Sequence, residues 1–309
     1  MSRLRTAAAL LAAALVTVGL TAPSAPLSPA ASAATTHRVL FDNSKAETAG
    51  NADWIVSTAQ PDPLAQNAAP TTDKNWTGAL SSWGIALQQT GEYSLKTLPP
   101  GGTFTFGTSA PLDLANFDTV VIPEPNIRFS ESEKAALMHF VEEGGGLFVI
   151  VDHTMSDRNN DGIDSPAIIN DLFTNNGVDN TDPFGFSVDL ANIANENPRA
   201  VDDPADPVLN GPFGTVTGSI IRAGTTFTLD PAHNPEVKGI VYRPGFSGNT
   251  GAFFVTSTFG DGRIAAWGDS SPPEDGTGQP HNNLHDGWND PAGTDAALAL
   301  NATAWLSGA

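Results

Sequence analysis

Apolar and polar positions alternate along this chain between compact apolar runs and amphipathic stretches. "HRVLFDNS" (37–44) is a short apolar run closed by Asp42 and predicts a first strand. "AETAGNADWIVST" (46–58) predicts a partly helical segment, and the Pro- and Asn-rich residues 59–75 predict a surface loop. Trp76, Leu80, Trp83 and Leu87 follow at the one-face period of a helix. "YSLKTLP" (93–99) predicts a second strand, and "PGGTFTFGTS" (100–109) a turn-rich excursion. "FDTVVIPEPN" (117–126) and "GLFVIVDH" (146–153) are continuous apolar runs, the pattern of strands buried on both faces. The helix predicted between them starts at a Ser130–Glu133 capping box and stops at Gly144–Gly146. Strand, helix and strand together predict a right-handed crossover between parallel strands.

Residues 165–176 predict a further helix, and the Pro-rich residues 179–215 predict loops. "SIIRAGTTFTL", "GIVYRPG", "AFFVTSTFG" and "GRIAAWGD" predict short strands. The last two form a hairpin across Gly260-Asp261-Gly262. Residues 270–292 predict a long polar loop, and "TDAALALNATAWLSG" a closing helix. No repeat or linker divides residues 34–309, so one domain is expected.

Within this frame, "FVEEGGGLFVIVDH", "GDGRIAAWGDSS" and the final "ALALNATAWL" resemble class I glutamine amidotransferase-like domains. The resemblance is to their non-amidotransferase branch, with the trehalose-utilisation-like proteins and the GIFT-type domains of intraflagellar transport proteins. It covers the element order over most of residues 38–308 and implies a flavodoxin-like three-layer α/β fold with a mostly parallel sheet. The family's amidotransferases use a Cys nucleophile. This chain has no Cys, so that activity does not carry over, and disulfides are excluded as well.

The first residues bear on compartment. Arg3 and Arg5, an apolar run from Ala7 to Leu20, and Ala31-Ser32-Ala33 make the pattern of a secretory signal peptide cut near Ala33. The run is short for a membrane span, so no membrane insertion is expected. Net charge is −20 before that cut, and removing two arginines makes the secreted chain more acidic still. Such a surface repels nucleic acid and anionic lipid, which leaves an extracellular small molecule or glycan as the expected partner.

Three stretches carry candidate chemistry. In "VDHTMSDRNNDGIDSP" (151–166), Asp157, Asn159 and Asp161 alternate before Gly162, the core of an EF-hand-type calcium loop. Alternate side chains of such a loop point at one centre. Ile163 would add its carbonyl, and Asp164 would stand in for the usual Glu, since the twelfth position is Ile168. The competing reading is an Asx-rich turn without metal. The second constellation is topological, because ligands of open parallel sheets lie outside the carboxyl ends of the strands. Asp42, Glu124, Asp152, His153 and Asp269 all fall at such ends. Clustered carboxylates need a cation or raised pKa values, so Asp42 and Asp152 are candidate ligands of a second divalent metal. Glu124, Asp269 and His153 are candidate acid, base or ligand groups. Each Asp is also a credible cap for the turn after it.

The third stretch is residues 268–290, where His281 and His285 lie in a loop read as a lid that brings His285 or Asp286 near His153. The expected function is hydrolysis of an extracellular glycan or ester. The alternative is a glycan-binding module, with Trp54, Trp76, Trp83 and Trp288 available to stack on sugars. His285 is a further candidate catalytic group, and a nucleophilic Ser270 with His153 or His285 as its base is a minor option.

Overall fold

The computed structural model describes residues 36–47, 53–278 and 285–309. Both the signal-peptide region and His281 lie outside the described residues. Five strands build the parallel part of a ten-stranded sheet: β1 (His37–Asp42), β2 (Tyr93–Leu98), β3 (Thr119–Pro123), β4 (Gly146–Ile150) and, from late in the chain, β14 (Gly262–Trp267). Their order is β2-β1-β3-β4-β14, all parallel. This is the flavodoxin-like order, with a switch point between β1 and β3. Beyond β14 the sheet turns antiparallel through β13 (Ala252–Phe259), β11 (Phe227–Leu229), β5 (Phe186–Val188), β12 (Lys238–Tyr242) and β7 (Arg199–Ala200). Two small ribbons complete the strands: β6 (Ile193–Glu196) with β10 (Ile221–Gly224), and β8 (Asn210–Gly211) with β9 (Gly214–Thr215).

Alternation along the strands explains the three layers. Val39, Phe41, Val121, Phe148 and Ile150 point to one face, where α1 (Ser81–Thr90) and α4 (Asp295–Ser307) bring Trp83, Leu87, Leu298 and Ala302. Leu40, Val120, Ile122, Leu147 and Val149 point to the other. There α2 (Glu131–Glu142) and α3 (Ser165–Thr174) supply Leu137, Phe140, Ile169 and Leu172. The continuous apolar runs are therefore strands covered on both sides. The capping box forms as expected: Ser130 Oγ accepts from Glu133 N at 3.3 Å, and Ser130 N donates to Glu133 Oε2 at 2.9 Å.

Several expectations need correction. Helix α1 begins only at Ser81, so Trp76 and Leu80 precede it. Backbone pairing competes with the helix here: Ala79 N donates to Asp53 O and Leu80 N to Ile55 O. The same bonds tie Asp53 and Ile55 to Ala79 and Leu80, and the described part of "AETAGNADWIVST" carries no helix. "SIIRAGTTFTL" breaks into β10 and β11, because Thr225 N turns to Gly268 O. Residues 270–275 do not form a free lid. They are buried in the body, with Asp275 N bonded to Ala79 O and Trp288 N to Glu274 O. Trp54, Trp76 and Trp83 are core residues and offer no stacking surface.

Candidate active site at the carboxyl ends of the strands

Strands β3, β4 and β14 lie side by side in parallel, so the residues just past their ends converge. Those residues are Glu124, Asp152 and Asp269, and all three are buried. Glu124 has φ +43°, in the left-handed region that a side chain adopts only under constraint. Its two oxygens are held from different elements. Arg158 Nε donates to Oε1 at 2.9 Å, and Ser270 Oγ donates to Oε2 at 2.7 Å. Arg158 Nη2 reaches Asp152 Oδ2 at 2.9 Å.

The cation that the packed carboxylates call for is thus a guanidinium, delivered by the same loop that carries the calcium-like spacing. Arg158 is placed by Asn126 Oδ1, which accepts its backbone N–H at 2.7 Å, and by the face of Trp54, 5.1 Å away. Trp54 Nε1 donates to Glu274 Oε1 at 2.8 Å. Glu274 also accepts the backbone N–H of His285.

One positive group does not neutralise this floor. Burial, then the charges of Glu124 and Asp269 and a hydrogen bond with Glu124, push the Asp152 carboxyl well above the ordinary range. Burial also lifts Asp269 to about 6, against the pull of the Ser271, Arg222 and Ala223 amides. Burial lifts Glu274 to about 8, against hydrogen bonds from His285 N and Trp54. Carboxyls raised in this way keep their protons to higher pH than free ones do.

His153 stands at the open side of this floor. Its Nδ1 lies 2.5 Å from Thr154 O, an atom that can only accept, so Nδ1 carries the proton. Nε2 is left with its lone pair, 3.9 Å from Asp152 Oδ2. Asn192 Nδ2 lies 3.0 Å from the same Nδ1; an Nδ1–H cannot accept from it, so in this tautomer the Asn192 amide must present its oxygen there to bond the ring. A histidine oriented in this way through Nδ1 is equipped as a base.

Other sequence-predicted residues go elsewhere. Asp42 ends β1 as expected, but it pairs with Glu47 instead of joining the floor. Burial holds Glu47 well above its ordinary range, and the Asp42 charge adds to this, so the two carboxyls share a proton. Asp269 accepts Arg222 N at 2.7 Å and Ser271 N at 2.8 Å, which makes it a backbone clamp. Gly224 lets that clamp close, because a Cβ there would sit 2.7 Å from the Asp269 Cβ. His285 contributes its backbone N–H to Glu274, and nothing joins its ring to His153. Burial, then the neighbouring charge of Arg222, lowers its pKa.

The loop oxygens of 157–164 are met by the loop's own amides. Asp157 accepts Asp161 N at 3.0 Å and Gly162 N at 2.8 Å. Asn159 Oδ1 accepts Asp161 N at 3.1 Å, and Asp161 accepts Ile163 N at 3.0 Å. Asp164 caps α3 through Ala167 N and takes Met155 N at 2.8 Å. Among the described residues, no group of three or more His, Asp or Glu side chains is arranged to hold a metal ion. Sequence reasoning missed Arg158 and Asn126, and it named Trp54 as a sugar-stacking surface and Glu274 as part of a lid without their pairing. An Arg inside an acidic loop was the one available signal.

No family model and no curated relative matches the chain. Solved structures do. A cytoplasmic protein of Salmonella typhimurium LT2 aligns at 12% identity and a TM-score of 0.51, covering 87% of this chain and 99% of its own. A second cytoplasmic protein from Salmonella typhimurium aligns at 12% and 0.50, covering 87% and 98%. A ThuA-like protein from Parabacteroides merdae aligns at 12% and 0.45, covering 88% and 90%. At such identities the likeness is one of fold, and the chain shares the flavodoxin-like α/β architecture with its mostly parallel central sheet.

Proposed function

We propose that the chain is an exported hydrolase of the non-amidotransferase branch of the amidotransferase-like fold, acting on a neutral ester or glycan at this crevice. The observation that carries the reading is His153, with its proton on Nδ1 and a free Nε2 beside the Asp152–Glu124–Arg158 floor. For an ester, His153 Nε2 takes a proton from water as the water oxygen bonds to the carbonyl carbon. The bond from that carbon to the alcohol oxygen then breaks, and the imidazolium returns its proton to the leaving alkoxide. Arg158, with 31% of its side chain exposed, is the cation of this site whose charge can favour a developing oxyanion. Glu124 and Asp152 are too buried to touch a substrate and serve by holding Arg158 and biasing His153.

The test is turnover of p-nitrophenyl esters and glycosides by wild type and by His153→Gln. We expect the variant to lose roughly 10²- to 10⁴-fold in kcat/KM while its melting temperature stays within a few degrees. Equal rates for the two proteins would remove His153 from the mechanism.

A second reading follows from the burial of the floor carboxylates, which keeps them from touching a substrate. On it the crevice binds a glycan without breaking it. Retention on insoluble chitin or cellulose without turnover of any ester or glycoside favours that reading.

Calcium belongs to the proposal as a structural ion on Asp157, Asn159 and Asp161. Because the loop is already closed by its own amides, its contribution is modest. We expect a chelator to lower the melting temperature by a few degrees and added calcium to restore it. An unchanged curve makes the stretch an Asx-rich turn.

A further inference from the structure

The two most exposed large apolar side chains of the described surface each lie two residues from a member of the His153–Asn192 contact. Met155 is 78% exposed and Leu190 69%. Thr154 N donates to Ala191 O at 2.8 Å, and the His153 ring meets the Asn192 side chain at 3.0 Å. Met155 follows Thr154 and Leu190 precedes Ala191, so the two residues flank the Thr154–Ala191 bond. Met155 is held at φ +70° by its N–H bond to Asp164. That backbone conformation is costly for a side-chain-bearing residue, and here it projects an apolar chain into solvent. Ile127, 44% exposed, follows Asn126, the residue that positions Arg158. Single exposed apolar residues are ordinary, but two on adjoining loops beside a candidate base make a candidate binding surface.

The chemistry of the occupant follows from what this rim has and lacks. It is aliphatic and flexible. Trp54, Trp76 and Trp83 are 2%, 1% and 0% exposed and give no flat wall for a sugar ring, and Trp288 is half-buried against the core. A net charge of −20 disfavours anionic amphiphiles. We infer that the site takes a neutral ester of an aliphatic acid, with the acyl chain over Met155 and Leu190 and the carbonyl at His153. This rests on the hydrolase reading and narrows its substrate.

The test uses p-nitrophenyl acetate, butyrate, hexanoate and octanoate below their solubility limits. With wild type, kcat/KM should rise about two- to fourfold per methylene buried, until the rim is covered. In Met155→Ser/Leu190→Ser the rates on the four esters should fall within about threefold of one another. Phe246→Ser, at an exposed apolar site on another part of the surface, should keep the dependence. Melting curves of both variants confirm that they are folded. Equal wild-type rates on all four esters, abolished by His153→Gln, would overturn the acyl-chain inference and leave the hydrolase standing. Turnover of glycosides but not esters would do the same. No turnover of any substrate removes both readings.

Discussion

Arg158→Ala should lower stability by about 3–5 kcal/mol, because it leaves Glu124 and Asp152 buried without their counter-charge. For a chain of this size that is a fall of roughly 5–9 °C in melting temperature. The partial exposure of Arg158 places the loss towards the lower end of the range. It should also depend on pH, since a carboxylate deprived of its partner takes up a proton instead. The loss should be larger at pH 8 than at pH 5. Arg158→Lys should recover only part of it, because one ammonium cannot reproduce the two-armed contact with two separate carboxylates. Glu124→Gln in the Arg158→Ala background should recover stability by removing the charge left stranded. Thermal denaturation at the two pH values checks all three variants. A wild-type melting curve for Arg158→Ala would mean that the guanidinium does not neutralise the floor.

The second large effect is a fall in stability from mildly acidic to mildly alkaline pH. Glu274 is lifted from 4.5 to about 8 and Asp269 from 3.8 to about 6, both chiefly by burial. A group whose folded pKa is raised loses its proton first in the unfolded chain. Over that window the folded state binds more protons, so stability declines as pH rises and levels off above the folded value. For Glu274 the window runs from about 4.5 to about 8, and its full contribution is on the order of 5 kcal/mol. Asp113 acts oppositely in stronger acid. Although burial raises it, hydrogen bonds from Thr108 and Thr105 bring it down to about 2, so its stabilisation fades as pH falls towards that value. Maximum stability should therefore lie near pH 4–5. Glu274→Gln keeps an amide where the protonated acid stood and should flatten the slope between pH 5 and 8. Urea midpoints measured across that range decide the matter, and a wild-type slope retained in Glu274→Gln would show that the proton is held elsewhere.

The rest of the molecule divides between what adjacent residues dictate and what distant ones do. The apolar runs at 119–123 and 146–150 are strands because nothing else buries such short continuous runs on both faces. The capping box at Ser130 and the hairpin at Gly260-Asp261 form from local hydrogen bonds, so local sequence suffices to place them. Strand ends follow from strands, which is why Glu124, Asp152, His153 and Asp269 were found at one pole of the sheet. Local pattern misled at 76–80, where a helical period is overridden by backbone bonds to residues 53–55, over twenty positions away in sequence.

The sequence by itself therefore determined the layered α/β architecture, the pole where the candidate site lies and the acidity of its floor. Only the tertiary structure decided what neutralises that floor. Arg158 meets Glu124 across 34 positions, and Trp54 meets Glu274 across 220. No periodicity records such meetings, because side-chain pairing between loops is set by where the sheet brings their ends together. The same holds for Asp42, whose strand end was legible but whose turn towards Glu47 depends on the path of the loop that follows.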